Sequence, residues 1–216
     1  MNTLTATLTA ALPLAAGWSA HVLWLRRRLH TARRDPLTGL HTRDGFTHRA
    51  ADLLRKGRAV VLLADVDDFK QINDRYGHAA GDTLLKASAD RLAHYVGASG
   101  VAGRLGGDEF AAVIVDPHGT AEDLFAALHA VLARPADPAH PELRTTVSLG
   151  WARAAEFPGE DLSQLLGRAD EAMYAAKQAR AGVKRAGLGR LFATMAGRRA
   201  GRRGARTDTT ATGAAA

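Results

Sequence analysis

A chain of 216 residues without a cysteine has the size of one ordinary domain with extensions, and the missing thiols exclude disulfides and thiolate metal sites. The formal charge of +7 would suit a nucleic-acid binder, but between Asp35 and Gly182 the acids outnumber Lys and Arg by 21 to 16. The basic excess sits at the two ends, the middle is mildly acidic, and nucleic acid is not the expected partner.

No residue from Thr3 to Leu25 is charged, and Arg26-Arg27-Arg28 and Arg33-Arg34 follow. A membrane-crossing helix needs about 20 apolar residues, so residues 1–25 are expected to form a transmembrane anchor and 26–34 a basic juxtamembrane linker. Pro13 is tolerated as a kink, and His21 reads as a residue near the interface. The positive-inside rule then gives a single-pass protein of the cell membrane, with everything after Leu25 in the cytoplasm. Charge after the apolar run rather than before it argues against a signal peptide. Four early threonines, Pro13 and His21 leave an interfacial or buried helix as the alternative. Only a few residues precede the span, so no outside sensor domain is expected.

Asp35-Pro-Leu-Thr-Gly-Leu40 is rich in turn formers. Asp44 to Lys56 then reads as a helix with Phe46, Ala50, Leu53 and Leu54 on one face, stopped by Gly57. Arg58 to Val66 is a continuous apolar run of the kind a doubly covered strand shows. It ends in acids, and the period of two puts Asp65 and Asp67 on one side. Phe69 to Tyr76 reads as a short helix and Gly77 to Gly81 as a break. Asp82 to Val96 is an amphipathic helix with Leu84, Leu85, Ala89, Leu92 and Val96 inward.

A loop at Gly97 to Gly100 leads into Arg104-Leu-Gly-Gly-Asp-Glu-Phe110. Two glycines offer the positive φ that a two-residue hairpin turn needs, and two carboxylates follow at its tip. Alone, such a dipeptide is an ordinary turn. Thr120 to Leu132 reads as a helix, Pro135 to Pro141 as a loop, Arg144 to Ala152 as a strand, and Asp161 as the cap of a last helix. This order fits an α+β fold, helices on a mostly antiparallel sheet, better than a doubly wound one. From Val183 the composition shifts to Gly, Arg, Ala and Thr, so residues 183–216 read as a basic, disordered tail. Leu188 to Met195 is a candidate amphipathic turn, and attraction to anionic lipid is the tail's functional alternative.

Acids at a strand end and at a hairpin tip become a metal site if neighbouring strands join them. Hard oxygens suit magnesium, which commonly shares itself between carboxylates and a substrate's phosphates. That points to a nucleotide, and a pair of ions can activate an attacking hydroxyl while neutralising a leaving group.

The Arg104-Leu-Gly-Gly-Asp-Glu-Phe110 stretch resembles the signature of the diguanylate cyclase, or GGDEF, family. The resemblance extends through Asp35-Pro-Leu-Thr-Gly-Leu40, Asp65-Val-Asp-Asp-Phe-Lys-Gln-Ile-Asn-Asp74, Gly77-His-Ala-Ala-Gly-Asp82, Val147-Ser-Leu-Gly150 and Ala169-Asp-Glu-Ala-Met-Tyr-Ala-Ala-Lys177. It covers residues 35–182. It implies a palm-like, nucleotide-cyclase-like sheet and the condensation of two GTP molecules into cyclic di-GMP and two pyrophosphates at a homodimer interface.

Carried over by motif, Asp65, Asp108 and the Val66 carbonyl resemble the ligands of magnesium, two ions per site, with manganese as a substitute. Asp108, Glu109 and Lys70 resemble the catalytic set. Asp108 matches the proposed base at the ribose 3′-hydroxyl, Glu109 the second signature acid, and Lys70 the cation that stabilises phosphate charge. Asn73 and Asp82 resemble the guanine readers, since an amide and a carboxylate match the edge that guanine has and adenine lacks. His78 lies in the same motif as a further substrate contact or a structural turn histidine. Arg104 and Lys177 stand where the family contacts phosphate.

Departures carry information too. The family's product-inhibition motif, Arg-x-x-Asp, falls on Gly97 and Gly100, so feedback through that site is not expected. Thr42 replaces the usual asparagine, a matter of local capping. After Lys177 the usual Gly-Arg-Asn is Arg180-Ala-Gly182, which puts one phosphate-binding arginine in doubt. The alternative is a catalytically silent GGDEF module that binds GTP or a partner as a receptor or scaffold. Retention of Asp65, Lys70, Asn73, Asp82, Asp108 and Glu109 argues for the enzyme.

Overall fold

The computed structural model describes Trp18, His21 and residues 33–187. Apart from Trp18 and His21, the predicted anchor lies outside the described residues, as do most of the linker and the tail past residue 187. Among those described, no helix is long and apolar enough to cross a membrane.

The elements in chain order are α1 (Arg43–Leu54), β1 (Ala59–Val66), α2 (Phe69–Tyr76), α3 (His78–Val96), β2 (Gly100–Gly106), β3 (Glu109–Val115), α4 (Ala121–Leu132), β4 (Val147–Arg153), α5 (Leu162–Ala179) and β5 (Val183–Arg185). The strands form one sheet in the order β2-β3-β1-β4-β5. β1 pairs antiparallel with β3 and β4, β2 pairs antiparallel with β3, and β5 lies parallel to β4. The sheet is therefore mixed with antiparallel pairs in the majority, flanked by helices in the palm-like α+β arrangement.

The apolar run puts β1 at the centre. All eight of its residues are buried, and their alternation serves two cores. Val60, Leu62, Ala64 and Val66 pack with Leu84 and Leu92 of α3 and with Phe125 and Leu128 of α4. Ala59, Val61 and Leu63 pack with Phe46 of α1 and with Leu165, Ala169 and Met173 of α5. Each fully buried large aliphatic side chain contributes about 1.5–3 kcal/mol, so β1 is held from both faces.

Local chemistry sets the helix ends. The Thr42 side chain accepts from Gly45 N at the start of α1, the capping job that an asparagine would also do. Asp161 and Gln164 form a reciprocal capping box on α5, with both bonds at 2.9 Å. α5 crosses β4 so closely that a β-carbon on Gly150 would lie 2.1 Å from the Ala169 carbonyl oxygen.

Three element boundaries depart from the sequence reading. Residues 78–81 continue α3, and Gly77 alone, at φ 84°, makes the break. β4 begins at Val147 rather than Arg144: the ladder with β1 ends at Val66–Val147, and Thr145 and Thr146 beyond it hold Asp67 through their hydroxyls. Residues 183–185, read as the start of the tail, form β5 in register with Leu149 to Trp151, and Ala186 is buried behind them. Three residues are too few to show a periodic pattern; the open edge of β4 selects them.

Candidate active site

The carboxyl end of β1 meets the hairpin tip through sheet register. Asp65 lies opposite Glu109 on β3 and opposite Ser148 on β4. One residue further, Val66 N–H donates to the Asp108 carbonyl at 3.2 Å, which stitches the turn to β1.

Two arginines hold the hairpin from behind. Arg43 donates from Nε and Nη2 to the Leu105 carbonyl, at 3.1 and 2.8 Å. Arg104 donates from Nε and Nη2 to the Gly107 carbonyl at 3.0 and 2.7 Å, and from Nη1 to Asp35 at 3.2 Å. Burial works to raise the Asp35 carboxyl, but hydrogen bonds from Thr38 and the charge of Arg104 outweigh it and hold it below the usual aspartate range. Arg104, predicted as a phosphate contact, thus has its fork on the turn's own backbone.

The glycines of the turn need a different explanation from the one the sequence suggested. Neither Gly106 nor Gly107 takes positive φ. A register shift between Arg104 and Gly106 absorbs the bend instead. A β-carbon on Gly107 would meet nothing within 4 Å, so no packing within the fold requires glycine there. The bare backbone leaves room for a ligand's close approach.

Asp65 is 6% exposed and takes a hydrogen bond from Lys177 Nζ at 2.5 Å. Burial raises its carboxyl above the ordinary range, Lys177 pulls it back, and Asp108 and Glu109 add to the rise. Lys177 is shifted the same way: burial disfavours its charge, but Asp65, Asp67 and Asp108 together win and raise its pKa. The Asp65 shift reports burial first and the neighbouring acids second, and the Lys177 shift reports the acids gathered around one ammonium group.

Asp67, one of the strand-end acids that the period of two places on the side of Asp65, is tied into the sheet end. Its Oδ2 accepts from Thr146 Oγ1 at 2.6 Å and its Oδ1 from Ser148 Oγ at 2.8 Å. Its carbonyl accepts from Thr145 Oγ1 at 2.6 Å, and its N–H donates to the Thr146 carbonyl at 3.0 Å. Four bonds fix the chain where β1 gives way to α2. The signal available in the sequence was Thr145-Thr-Val-Ser148, hydroxyls spaced to face a strand-end acid.

The other predicted residues stand on the unit that follows directly. Asp68, at φ 53°, turns the chain into α2, and its side chain does not cap the helix. Lys70 is exposed on the first turn, and among the described residues no ion pair holds its ammonium. Asn73 lies against Gly81, where a β-carbon would come within 2.0 Å of Asn73 Oδ1. This brings Asn73 next to exposed Asp82, with exposed His78 one turn earlier on α3. Among the described residues, no ion pair joins Lys70, His78 or Asp82 to Asp65 or Asp67, whose charged partner is Lys177. A separate cleft of about 330 Å³, lined by Gln71, Arg75, Tyr76 and Arg144 among others, lies on the other face of α2 and contains none of the predicted site residues.

The donor set suits a hard divalent cation: carboxylates of Asp65, Asp108 and Glu109 and the Val66 carbonyl, in surroundings short of positive charge. Among the described residues, no three acidic or histidine side chains already stand together as a cation cage.

Residues 32–182 match the family model described as the diguanylate cyclase GGDEF domain. The chain is 49% identical over 172 residues to a 19.3 kDa uncharacterized protein of Streptomyces ambofaciens, covering 79% of this chain and 92% of that one. It is 40% identical over 160 residues to diguanylate cyclase DgcN of Escherichia coli, covering 71% of this chain but only 39% of DgcN. The coiled coil and GGDEF domain of DgcB from Caulobacter crescentus, solved in complex with c-di-GMP, superposes at TM-score 0.68 with 26% identity, over 86% of this chain and 100% of that one. With the family model matching more than half of its length, the chain belongs to the GGDEF family of diguanylate cyclases.

Proposed function

We propose that this chain condenses two GTP molecules into cyclic di-GMP with release of two pyrophosphates, one GTP being held by each of two facing domains. The observation that carries this reading is the convergence of Asp65, Asp108 and Glu109 at one sheet end, beside Lys177. In each half-reaction a ribose 3′-oxygen forms a bond to the α-phosphorus of the opposed GTP. The bond from that phosphorus to pyrophosphate breaks, and the 3′-hydroxyl proton leaves.

Asp65, Asp108 and the Val66 carbonyl would hold magnesium, or manganese with the same hard-oxygen preference. Bound there, the ions would supply charge neutralisation at the attacking and leaving oxygens. Asp108 orients the hydroxyl and accepts its proton, while Glu109 completes the negative frame. Lys70 is free to meet phosphate charge, and the uncapped start of α2 offers backbone N–H groups beside it. Asn73 and Asp82 read the guanine edge, with His78 beside them. Lys177 contacts phosphate from the end of α5. Arg104 orients the turn and offers its remaining donors to the same phosphates.

Product feedback through the Arg-x-x-Asp position is absent in this reading. Gly97 has no side chain, and a β-carbon on Gly100 would lie 2.5 Å from the Val113 carbonyl oxygen. Attachment to the cell membrane through residues 1–25, with the domain in the cytoplasm, is part of the proposal and rests on the uncharged run and its arginine flank.

The test is to incubate the 216-residue chain with GTP and magnesium and follow cyclic di-GMP and pyrophosphate, with Asp108→Ala as the comparison. Product from the wild type and none from the variant is expected. No product from a folded, dimeric wild type would sink the enzyme reading and favour a silent module.

A further inference from the structure

Lys177 Nζ stands 2.5 Å from Asp65 Oδ1 and 3.6 Å from Asp67 Oδ1, and the two acids are not equivalent. Asp67 has both carboxylate oxygens satisfied by the hydroxyls of Thr146 and Ser148, and its backbone is pinned at N–H and carbonyl. Asp65 is buried, and among the described residues Lys177 is the only hydrogen-bond donor to its carboxylate. A buried carboxylate with one donor and two acidic neighbours needs a cation, and Lys177 provides it.

The lysine is also built to leave. It sits in the last turn of α5, and its side chain is 44% exposed, so a rotamer change moves the ammonium without moving the helix. Asp67, locked by its own hydroxyl donors, marks the next place where that ammonium is held.

We propose that Lys177 is the resident counter-ion of Asp65, and that it withdraws toward Asp67 whenever Asp65 takes a divalent cation. The proposal rests on the reading of Asp65 as an ion ligand. Its consequence is coupling. Without nucleotide, the lysine competes for the carboxylate and keeps the ion weakly bound. Phosphates that accept the displaced ammonium relieve the competition, so ion and nucleotide strengthen each other's binding by the same factor. Lys177 then arrives at the phosphates because the ion has arrived at Asp65, and neither ligand alone completes the site.

The experiment titrates Mn²⁺ into the nucleotide-free 216-residue chain and reads free Mn²⁺ by electron paramagnetic resonance, comparing wild type, Lys177→Met and Asp65→Asn. Lys177→Met is expected to bind roughly tenfold tighter, near the low end of the range for coupled sites, and Asp65→Asn to lose the binding. In the wild type, Mn²⁺ should increase acylation of Lys177 by an amine-reactive reagent, followed by mass spectrometry, and this arm needs no variant to fold. Affinity unchanged or weakened in Lys177→Met, or Lys177 acylation indifferent to saturating Mn²⁺, overturns the displacement while leaving the ion site standing. Mn²⁺ binding that Asp65→Asn does not alter removes the ion-ligand reading of Asp65 and the displacement with it.

Discussion

Arg104 and Asp35 are ion-paired at 3.2 Å across 69 positions of sequence, and the same guanidinium holds the Gly107 carbonyl. The segment that enters the domain is thereby tied to the turn that carries Asp108. Arg104→Lys keeps the charge but loses the fork, so the turn loosens. The expected result is a fall in kcat of about ten- to a hundredfold, the scale of a 1 Å misplacement, with a stability loss of about 1–2 kcal/mol for a partly buried pair that loses its fork. Asp35→Asn should move both readouts in the same direction by less.

Asp67 is argued to position rather than to react. Asp67→Ala strands two hydroxyls and frees the joint between β1 and α2, so a stability loss of about 1–2 kcal/mol is expected in urea unfolding. Lower kcat should accompany it. Asp67→Asn keeps an acceptor oxygen, and the hydroxyls can rotate to receive the amide, so it should recover most of both. Equal damage from the two variants would mean that the charge of Asp67 matters beyond its hydroxyl donors, through Lys177 or the substrate.

Arg180 ends α5 at φ 51° and ψ 35°, a left-handed conformation that non-glycine residues adopt at a cost of roughly 1–2 kcal/mol. Arg180→Gly should therefore stabilise the domain by about 1 kcal/mol. If the guanidinium replaces the family's missing phosphate contact, the same variant raises the KM for GTP. Higher stability with an unaltered KM would assign Arg180 no part in substrate binding.

Gly100 tests the absence of product feedback. The Gly97→Arg, Gly100→Asp double variant should not regain inhibition, because the second change forces a side chain onto the Val113 carbonyl. A loss of about 1–3 kcal/mol is expected for such overpacking. In wild type, added cyclic di-GMP should leave the rate of pyrophosphate release unchanged, and strong inhibition would contradict the reading of this position.

Asp116 gives a pH signature away from the site. Burial tends to raise its carboxyl, but N–H donors from Thr120 and Ala121 and the Arg153 guanidinium prevail, holding it below the ordinary value of 3.8. A depressed carboxyl stabilises the fold fully above 3.8 and loses that contribution as pH falls through its folded value. Asp116→Asn should destabilise the protein by about 3 kcal/mol near pH 7. The gap to wild type in urea midpoint should close as pH drops below 3.8.

Periodicity and motif spacing were enough to read the central strand, the amphipathic helices and the acids of the hairpin, because burial on two faces or one writes itself into local residue order. Residue types pointed to oxygen ligands at the strand end and the hairpin tip, while the guanine-reading roles of Asn73 and Asp82 were implied by the family resemblance alone. Register was decided only in three dimensions: Asp65 faces Glu109, and not another residue of β3, because strands pair along their whole length. The same holds for β5, which exists by virtue of the edge it completes, and for the turn glycines, which take no positive φ beside a register shift between Arg104 and Gly106. It holds most of all for Lys177, 112 positions from the carboxylate it neutralises, since no local pattern records which cation a buried acid will find.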